Sequence, residues 1–270
     1  MKIGFLGPRG TFSYEVAKKY SKMSELKEYK TITEVIYGLI NKEIDEAIVP
    51  IENSLQGGVT ETIDTLIECD GIYVVEEIIK RVNQNLIANK KYVLNEIKEI
   101  YSHPQAIAQC RKYIEKNLKN ARINQVSSTA LAAKEIKEKD YCACIANESC
   151  IEEYGLELLD KKIQDNNFND TKFWVLSKNE RIDGDKISLI FSTRNNPGAL
   201  YNVLGIFYEN QINLTKIESR PAKTRLGEYY FLVDLEINLN INKAMKKLNE
   251  ECDYLKVLGK YKKYKNNESE

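Results

Sequence analysis

The chain has 270 residues, and it carries as many lysines and arginines (40) as aspartates and glutamates (40). With zero formal net charge it lacks the basic footprint of a nucleic-acid-binding protein. No apolar run approaches the roughly 18 residues of a membrane helix, and the N-terminus does not read as a secretory signal. We therefore expect a cytoplasmic protein with no nucleic-acid or membrane partner. A hydrophobic content of 43% and a charged content of 30% exclude a disordered chain and favour one large or two ordinary domains.

The first two-thirds of the chain alternates between strand-like and helix-like segments. Strands are predicted at 2–6, 46–51, 72–79, 83–88, 97–102, 121–126, 141–146 and 172–176. Helices are predicted at 11–20, 33–41, 60–69, 104–117 and 129–138. This alternation indicates an α/β domain whose parallel or mixed sheet is covered by helices.

A polar stretch at 179–185 is interpreted as a linker between two domains. The chain beyond it predicts a strand, a helix, two strands, a helix and a strand, at 186–192, 199–210, 214–219, 228–235, 242–252 and 254–261. The order βαββαβ is ferredoxin-like. We expect domains at 1–178 and 186–264, followed by a charged, frayed tail at 265–270.

The cysteines are interpreted as buried thiols. The closest pair, Cys142 and Cys144, lies in a short apolar strand, where both side chains would share one face. A metal site would need further ligands, and the only histidine, His103, belongs to another motif. The sequence thus predicts neither a metal site nor a disulfide.

Polar residues follow several of the predicted strands, in turns at 7–13, 50–54, 102–105, 127–129 and 169–172. Ligands of open α/β sheets bind beyond the carboxyl ends of strands, where helix N-termini offer free N–H groups. Together these turns predict a pocket of neutral donors suited to carboxylates. Any single turn is explained as well by helix capping, which contributes about 1 kcal/mol, so the spacing alone names no substrate.

The motifs, taken in order, resemble the prephenate dehydratase family. They are GPRGTFS at 7–13, PIENS at 50–54 with Gly57 and Val59, SHPQA at 102–106 with Gln109, SST at 127–129 and NDTKF at 169–173. The C-terminal part is similar to an ACT regulatory domain, through PGAL at 197–200 with Leu204 and through ESRP at 218–221. The resemblance covers residues 2–261. It implies a two-lobed, type 2 periplasmic-binding-protein-like catalytic domain, with lobes at about 1–80 plus 165–178 and at 81–164, joined to a ferredoxin-like ACT domain.

The resemblance also implies an activity, the decarboxylating dehydration of prephenate to phenylpyruvate in L-phenylalanine biosynthesis. It implies no metal or organic cofactor, feedback control by phenylalanine, and a homodimer or homotetramer. Two alternatives stay open. One is arogenate dehydratase, which acts on the aminated substrate, although prephenate is favoured. The other is a non-catalytic sensor of amino acids or aromatic acids.

The family's catalytic threonine corresponds to Thr171, whose hydroxyl we expect to donate a hydrogen bond to the leaving oxygen. Glu52 is a second catalytic candidate: substrate carboxylates nearby would raise its pKa and keep it protonated, although a structural glutamate is an equally good interpretation. Lys172 stands where the family usually has arginine, so the side chain keeps its charge but loses the bidentate fork. The substrate-binding residues that the resemblance implies are Thr11, Asn53, Ser54, Gln109, Ser128, Thr129, Lys172 and Phe173.

Two further polar residues are favoured as structural. His103 precedes a proline at a helix start and is interpreted first as part of that start. Arg9 is interpreted as a solvated turn residue that could add charge at the mouth of the pocket.

The ACT resemblance implies a phenylalanine site between two copies of the domain, formed by Asn196, Gly198, Ala199 and Leu200. Glu218, Ser219 and Arg220, in the motif that couples the effector to the catalytic domain, are assigned to effector binding as well. The alternative is a helix cap and a polar strand end that serve only dimerisation.

Overall fold

The computed structural model describes residues 1–225 and 227–263. The tail expected at 265–270, and residue 264 of the expected second domain, lie outside the described residues. The described chain forms a six-stranded, a five-stranded and a four-stranded sheet. In these parts of the chain, none of the helices combines the length and the apolar character needed to cross a membrane.

The strands follow one another as β1 (Lys2–Leu6), β2 (Glu25–Tyr29), β3 (Glu46–Asn53), β4 (Gly57–Gly58), β5 (Tyr73–Arg81), β6 (Asn85–Ala88), β7 (Glu99–Ser102), β8 (Arg122–Gln125), β9 (Cys142–Ala146), β10 (Glu157–Asp160), β11 (Asp170–Ser177), β12 (Lys186–Ser192), β13 (Leu214–Pro221), β14 (Tyr229–Glu236) and β15 (Tyr254–Tyr261). The helices are α1 (Phe12–Tyr20), α2 (Ile32–Ile40), α3 (Thr60–Glu68), α4 (Pro104–Gln109), α5 (Arg111–Asn117), α6 (Thr129–Ile136), α7 (Ser149–Tyr154), α8 (Ala199–Glu209) and α9 (Ile241–Glu251).

The first lobe is built on the sheet β2-β1-β3-β11-β5, with β4 paired to β3. The strands β1, β2 and β3 are parallel, whereas β11 runs antiparallel to both of its neighbours. Both faces of this sheet are covered. Phe173 and Val175 of β11 pack on the side of α1, while Trp174 and Leu176 pack on the side of α2 and α3. Successive side chains of β11 therefore face opposite ways, as the period of two of a strand requires.

The second lobe is built on the sheet β10-β6-β9-β7-β8. The chain enters it after Arg81 and leaves it before Asp170, so two short segments connect the lobes. Alanines on α6 pack in one buried cluster with Cys142 and Cys144 of β9 and Cys150 of α7. Burial raises the pKa of the Cys150 thiol to about 12, which keeps it protonated at neutral pH.

The third sheet, β13-β14-β12-β15, belongs to the C-terminal domain. The helices α8 and α9 cover one of its faces through Phe191, Val233 and neighbouring apolar residues. The other face lies on the first lobe, where Tyr261 joins the same core cluster as Trp174. At Gly259 a Cβ atom would overlap the backbone carbonyl of Val74. The close approach of β15 to β5 therefore requires glycine at this position.

The predicted fold class, a two-lobed α/β domain followed by a βαββαβ domain, is confirmed. The differences are local. The helix predicted at 104–117 is two helices, because the backbone at Cys110 leaves the helical conformation. The prediction did not contain β2, α7 or β10.

Candidate active site

A cavity of about 310 Å³ lies between the two lobes. Its walls come from both lobes and from the segment that connects them. The lining residues include the predicted Thr11, Asn53, Gln109, Ser128, Thr129, Thr171 and Phe173, together with Leu6, Phe12, Ser13, Pro50, Val82, Gln84, His103, Gln105, Ala106 and Ser127. Turns that are distant in the chain thus meet in one cleft.

Two helices, one from each lobe, begin at the cavity. Thr11 caps α1: its Oγ1 accepts a hydrogen bond from the backbone N–H of Tyr14 at 3.2 Å. Ser128 caps α6 in the same way, accepting from the N–H of Leu131 at 3.0 Å. The remaining N–H groups of each first turn, and the positive end of each helix dipole, are available to an anion.

Asn53 and Thr171 lie side by side on β3 and β11 and line the same cavity. The Asn53 side-chain amide donates to Thr171 Oγ1 at 2.9 Å and to Asn169 Oδ1 at 2.8 Å. Thr171 is thereby an acceptor, and within residues 1–225 and 227–263 its hydroxyl donates no hydrogen bond. Because a hydroxyl has one proton and two lone pairs, the Thr171 proton is available to a ligand.

The connection between the lobes contributes Gln84, which the sequence analysis did not single out. Its side-chain amide donates to Gln109 Oε1 of the second lobe at 3.2 Å, and its backbone N–H donates to Gln164 Oε1 at 2.9 Å. Its own Oε1 is buried and has no hydrogen-bond partner among the described residues. Gln84 is only 3% exposed, so a ligand in the cavity would find this amide already held in place.

His103 has the structural role that was favoured for it. Its Nδ1 accepts a hydrogen bond from the backbone N–H of Gln105 at 3.2 Å and so caps α4. The same side chain also lines the cavity. Arg9 is exposed and lies 5.8 Å from the centre of the Tyr14 ring.

The described lining residues include no lysine, arginine, aspartate or glutamate. An anion bound there would meet neutral hydroxyl and amide donors and two helix N-termini, with apolar side chains such as Phe173 completing the wall. A cationic group would find no carboxylate among them. This polarity suits a small molecule that carries carboxylates and an apolar ring.

Glu52, Lys172 and Ser54 do not line the cavity. Glu52 and Lys172 are paired in register, directly next to Asn53 and Thr171, and therefore face the opposite side of the sheet. The Ser54 side chain instead binds the backbone at the start of β11. Its Oγ accepts a hydrogen bond from the N–H of Asp170 at 2.9 Å and is 3.4 Å from the carbonyl of Phe168.

On that opposite side the C-terminal domain meets the first lobe through a network of charges. Lys172 lies 3.1 Å from Glu52 and 3.5 Å from Asp234, a residue of β14. Lys186 of β12 lies 2.6 Å from Glu77. The network as a whole contains Lys172, Lys186, Lys216, Glu52, Glu77, Asp234 and Glu218, and we call it the interdomain ion network.

The network reverses the expectation for the pKa of Glu52. Burial pushes the pKa of its carboxyl upward, but the charges of Lys216 and Lys172 outweigh burial and leave the pKa below its usual value. For Lys172, burial acts downward, and the charges of Asp234 and its carboxylate neighbours outweigh it and raise the pKa. Both groups are therefore charged at neutral pH. The prediction that the pKa of Glu52 is raised is wrong, because its neighbours are lysines and it faces away from the cavity.

A second cavity, also of about 310 Å³, lies in the C-terminal domain at the start of α8. The predicted residues Asn196, Gly198, Ala199 and Leu200 line it, with the loop at 193–195 and with Tyr201, Gly227, Tyr229 and Phe231. Gly198 has a φ of +85°, a conformation that favours glycine and that turns the chain into α8.

Glu218, Ser219 and Arg220 lie on β13, outside the lining of that cavity. Arg220 holds Asp64 of α3 with two hydrogen bonds of 2.7 and 2.8 Å. The Glu218 carboxylate occupies the space that a Cβ atom would take at Gly58. Ser219 faces the other way and pairs in register with Phe231, which lines the cavity. Successive residues of β13 thus face the first lobe and the cavity side alternately.

Among the described residues, no group of histidine, cysteine, aspartate and glutamate side chains has the arrangement that a metal ion needs. The described cysteines are free; Cys252 is half-buried and the others are buried.

Comparisons with known proteins agree with the geometry. The family model described as Prephenate dehydratase matches residues 3–181, and the ACT domain model matches residues 187–253. The chain is 40% identical over 276 residues to the prephenate dehydratase of Lactococcus lactis subsp. cremoris (strain MG1363), with 98% of each covered. It is 36% identical over 267 residues to that of Methanocaldococcus jannaschii, covering 94% of this chain and 95% of the relative. A solved structure, prephenate dehydratase in complex with L-Phe from Arthrobacter aurescens, superposes with a TM-score of 0.88 at 31% identity, covering 97% of this chain and 90% of that one.

Proposed function

The chain belongs to the prephenate dehydratase family, and we propose that the cavity between its lobes is the active site, with Thr171 assisting the departure of the ring hydroxyl. The observation that carries this proposal is the hydrogen bond from Asn53 to Thr171 Oγ1. It occupies a lone pair of the hydroxyl and leaves the proton for the substrate.

The reaction converts prephenate into phenylpyruvate, carbon dioxide and water. The bond between the ring and its carboxylate breaks, and its electron pair enters the ring as a new double bond. As this double bond forms, the bond between the ring and the hydroxyl oxygen releases its pair to that oxygen, which takes up a proton and leaves as water. The ring becomes aromatic, which drives the reaction, so the protein has to orient the substrate and assist the leaving oxygen.

The first turns of α1 and α6 are the sites we propose for the two carboxylates of prephenate. Their caps, Thr11 and Ser128, stand on opposite lobes, so a dicarboxylate would bridge the cleft and favour its closed form. Closure removes water and strengthens each hydrogen bond to the substrate.

Thr171 acts in this proposal as an oriented hydrogen-bond donor. An alcohol has a pKa far above 7, so it is a poor proton reservoir by itself. Its contribution is to stabilise the negative charge that develops on the leaving oxygen and to guide a proton to it, effects of about 10²–10⁴-fold in rate.

The absence of carboxylates among the described lining residues favours prephenate over arogenate, since the ammonium group of arogenate would be desolvated without a partner. We expect kcat/KM for prephenate to exceed that for arogenate at least about 100-fold. The measurement is turnover of each substrate by the purified protein, followed as phenylpyruvate or phenylalanine. Equal values would contradict this choice of substrate, and no turnover of either would contradict the active site itself.

We further propose that L-phenylalanine binds in the cavity at the start of α8 and inhibits the enzyme. The similar Arthrobacter aurescens structure is a complex with L-Phe, which supports an effector of this kind. Calorimetric titration should show binding, and Asn196→Ala should weaken it about tenfold while kcat without effector stays unchanged. Asn202→Ala, whose side chain instead binds Glu251 at 3.0 Å, serves as the control. If calorimetric titration of the unaltered protein with L-phenylalanine shows no binding, the proposed effector site is wrong.

A dimer or tetramer is part of the same proposal. The alternate residues of β13 that face away from the first lobe are exposed, and Tyr201 and Tyr229, which line the effector cavity, are exposed as well. A second copy seated on this edge would bury them and close the cavity. Sedimentation analysis should give at least a dimer, and Ile217→Lys should dissociate it; a monomer at micromolar concentration would contradict the assembly.

A further inference from the structure

We propose that Lys172 and Glu52 are positioning residues. From the opposite face of the sheet they fix β11 and β3, and so keep Thr171 and Asn53 aligned in the active site. The inference assigns a role to a pair that was first expected to touch substrate. It rests on the proposed role of Thr171, and the experiment below separates the two.

The two pairs are neighbours in register. Thr171 is opposite Asn53, and Lys172 is opposite Glu52. The first pair shares the cavity and is joined by a hydrogen bond of 2.9 Å; the second shares the interdomain ion network and is joined at 3.1 Å. Thr171 and Asn53 are therefore each adjacent in sequence to a charged residue whose side chain is held on the opposite face of the sheet.

The backbone at this point needs such a restraint. The pairing of β11 with β3 is irregular between Lys172 and Phe173, where one extra residue enters β3. An irregularity of this kind locally bends the strand that holds the extra residue, here β3, and re-aims the side chains beside it. The direction of the Asn53 amide, and with it that of the Thr171 hydroxyl, thus depends on how β3 and β11 are held at Glu52 and Lys172.

The restraint is largely buried and comes from several directions. The side chain of Lys172 is 18% exposed, and it meets Asp234, which is fully buried, at 3.5 Å. Glu52 also meets Lys216 of β13 at 3.2 Å. Charges buried in this way are costly to leave unpaired, so the network opposes any movement that would separate β11, β3 and the C-terminal sheet.

The C-terminal domain is consequently a structural part of the active site. Asp234 and Lys216 come from its strands β14 and β13, and neither residue lines the cavity. If that domain shifts on the first lobe, the partners of Lys172 and Glu52 shift with it, and Thr171 loses its alignment.

The test compares Lys172→Met and Glu52→Gln with Lys256→Met. Lys256 is a matched control, because it is also a largely buried lysine of the domain interface: its side chain is 11% exposed and binds Asp70 at 3.0 Å and the Leu66 carbonyl at 2.9 Å. We expect Lys172→Met and Glu52→Gln to lower kcat about tenfold or more with KM changed less than twofold, since a small misplacement of a catalytic group has effects of this size. Lys256→Met should keep kcat within twofold. Lys172→Arg, which retains the charge, should restore kcat to within about threefold.

Other results overturn the inference. A rise in KM at constant kcat would make Lys172 a substrate ligand, and unchanged kcat and KM would make the pair merely structural. If Lys172→Met does not fold, the isosteric Glu52→Gln decides alone by the same criteria. Lys172→Met combined with Thr171→Ala should be no slower than Thr171→Ala. An additional loss there would show that Lys172 acts through something other than Thr171, whereas full activity of Thr171→Ala by itself would refute the proposed function instead.

Discussion

The orientation of the Thr171 hydroxyl is set by its neighbour Asn53. Because the Asn53 amide donates hydrogen bonds to Thr171 Oγ1 and to Asn169, the Thr171 hydroxyl is oriented with its own proton directed elsewhere. A threonine on a strand is ordinary, and the sequence alone gave no means of telling this orientation from local bonding. What the motif resemblance added was the position; the hydrogen bond supplies the physical reason.

Replacing Thr171 tests this at the scale of a single atom. Thr171→Ala removes the donor, and we expect kcat to fall about 10²–10³-fold, as when one donor to a developing oxyanion is lost. Thr171→Ser retains the hydroxyl and should keep kcat within about tenfold. Steady-state kinetics with prephenate decide, and thermal unfolding of both variants checks that the fold is intact; near-normal turnover of Thr171→Ala would contradict the role.

Gln84 is the second residue with a specific expectation. Gln84→Ala removes the amide that bridges to Gln109 and leaves one fewer polar group for the substrate, so KM for prephenate should rise about tenfold. Asn83→Ala is the control, because Asn83 contacts Gln164 at 3.2 Å and does not line the active-site cavity. Equal KM values for the two variants would show that Gln84 has no part in binding.

At the scale of elements, β11 is the central component of the protein. Its odd-numbered side chains face the cavity between the lobes and α1, and its even-numbered side chains face α3 and the C-terminal domain. The sequence prediction placed the strand at 172–176, inside the observed limits Asp170–Ser177, and left Thr171 in the preceding turn. It therefore assigned Thr171 and Lys172 to one site, whereas the strand includes both residues and its alternation puts their side chains on opposite faces.

Replacing Trp174 tests how much β11 stabilises the fold. It is fully buried, in the core cluster that the first lobe shares with the C-terminal domain. Trp174→Ala should lower the free energy of unfolding by about 3–5 kcal/mol, measured by urea denaturation. Leu239→Ala, at a fully exposed position, should change it by less than about 0.5 kcal/mol; similar values for both would contradict a shared core.

Elements that the sequence did not predict have physical explanations. The edge strand β2 reads ELKEY and is held by pairing with β1 and not by an apolar face of its own, so its periodicity is weak. α7 is a single short helix in which only Cys150 is buried. By contrast, β1, β12 and β15 were predicted with their observed limits, because their apolar residues stand out from polar flanks.

At the scale of the whole molecule, the contact between β13 and α3 carries a pH dependence. The hydrogen bonds from Arg220 lower the pKa of Asp64 to about 2, from a usual 3.8. A carboxyl whose pKa is lower in the folded state stabilises the fold above its unfolded pKa, and this stabilisation is lost as the pH falls through the folded value. The relevant window is therefore about pH 4 to 2.

Asp64→Asn tests this contact. At neutral pH the variant should be less stable by about 1 kcal/mol, since solvent at the edge of the interface screens part of the interaction. Urea denaturation between pH 2 and 7 should show a smaller loss of stability below pH 4 for the variant than for the unaltered protein. Parallel curves for the two proteins across that range would show that the ion pair does not stabilise the fold.

How the two domains meet was beyond prediction from the sequence. The network lysines and carboxylates come from β3, β5, β11, β12, β13 and β14, and nothing in the local sequence of any one strand specifies its partners in the others. The motifs located most of the lining of the cavity between the lobes, because each motif is a short continuous turn. The ion network has no such local signature.

The double use of β11 limits how this protein can evolve. Substitutions that abolish inhibition by phenylalanine should be found around the start of α8, where they leave the reaction intact. Such substitutions should be rare at Lys172 or Asp234. A homologue that lost the C-terminal domain would also have to replace the charged residues buried against it. We therefore expect the two domains to occur together in homologues.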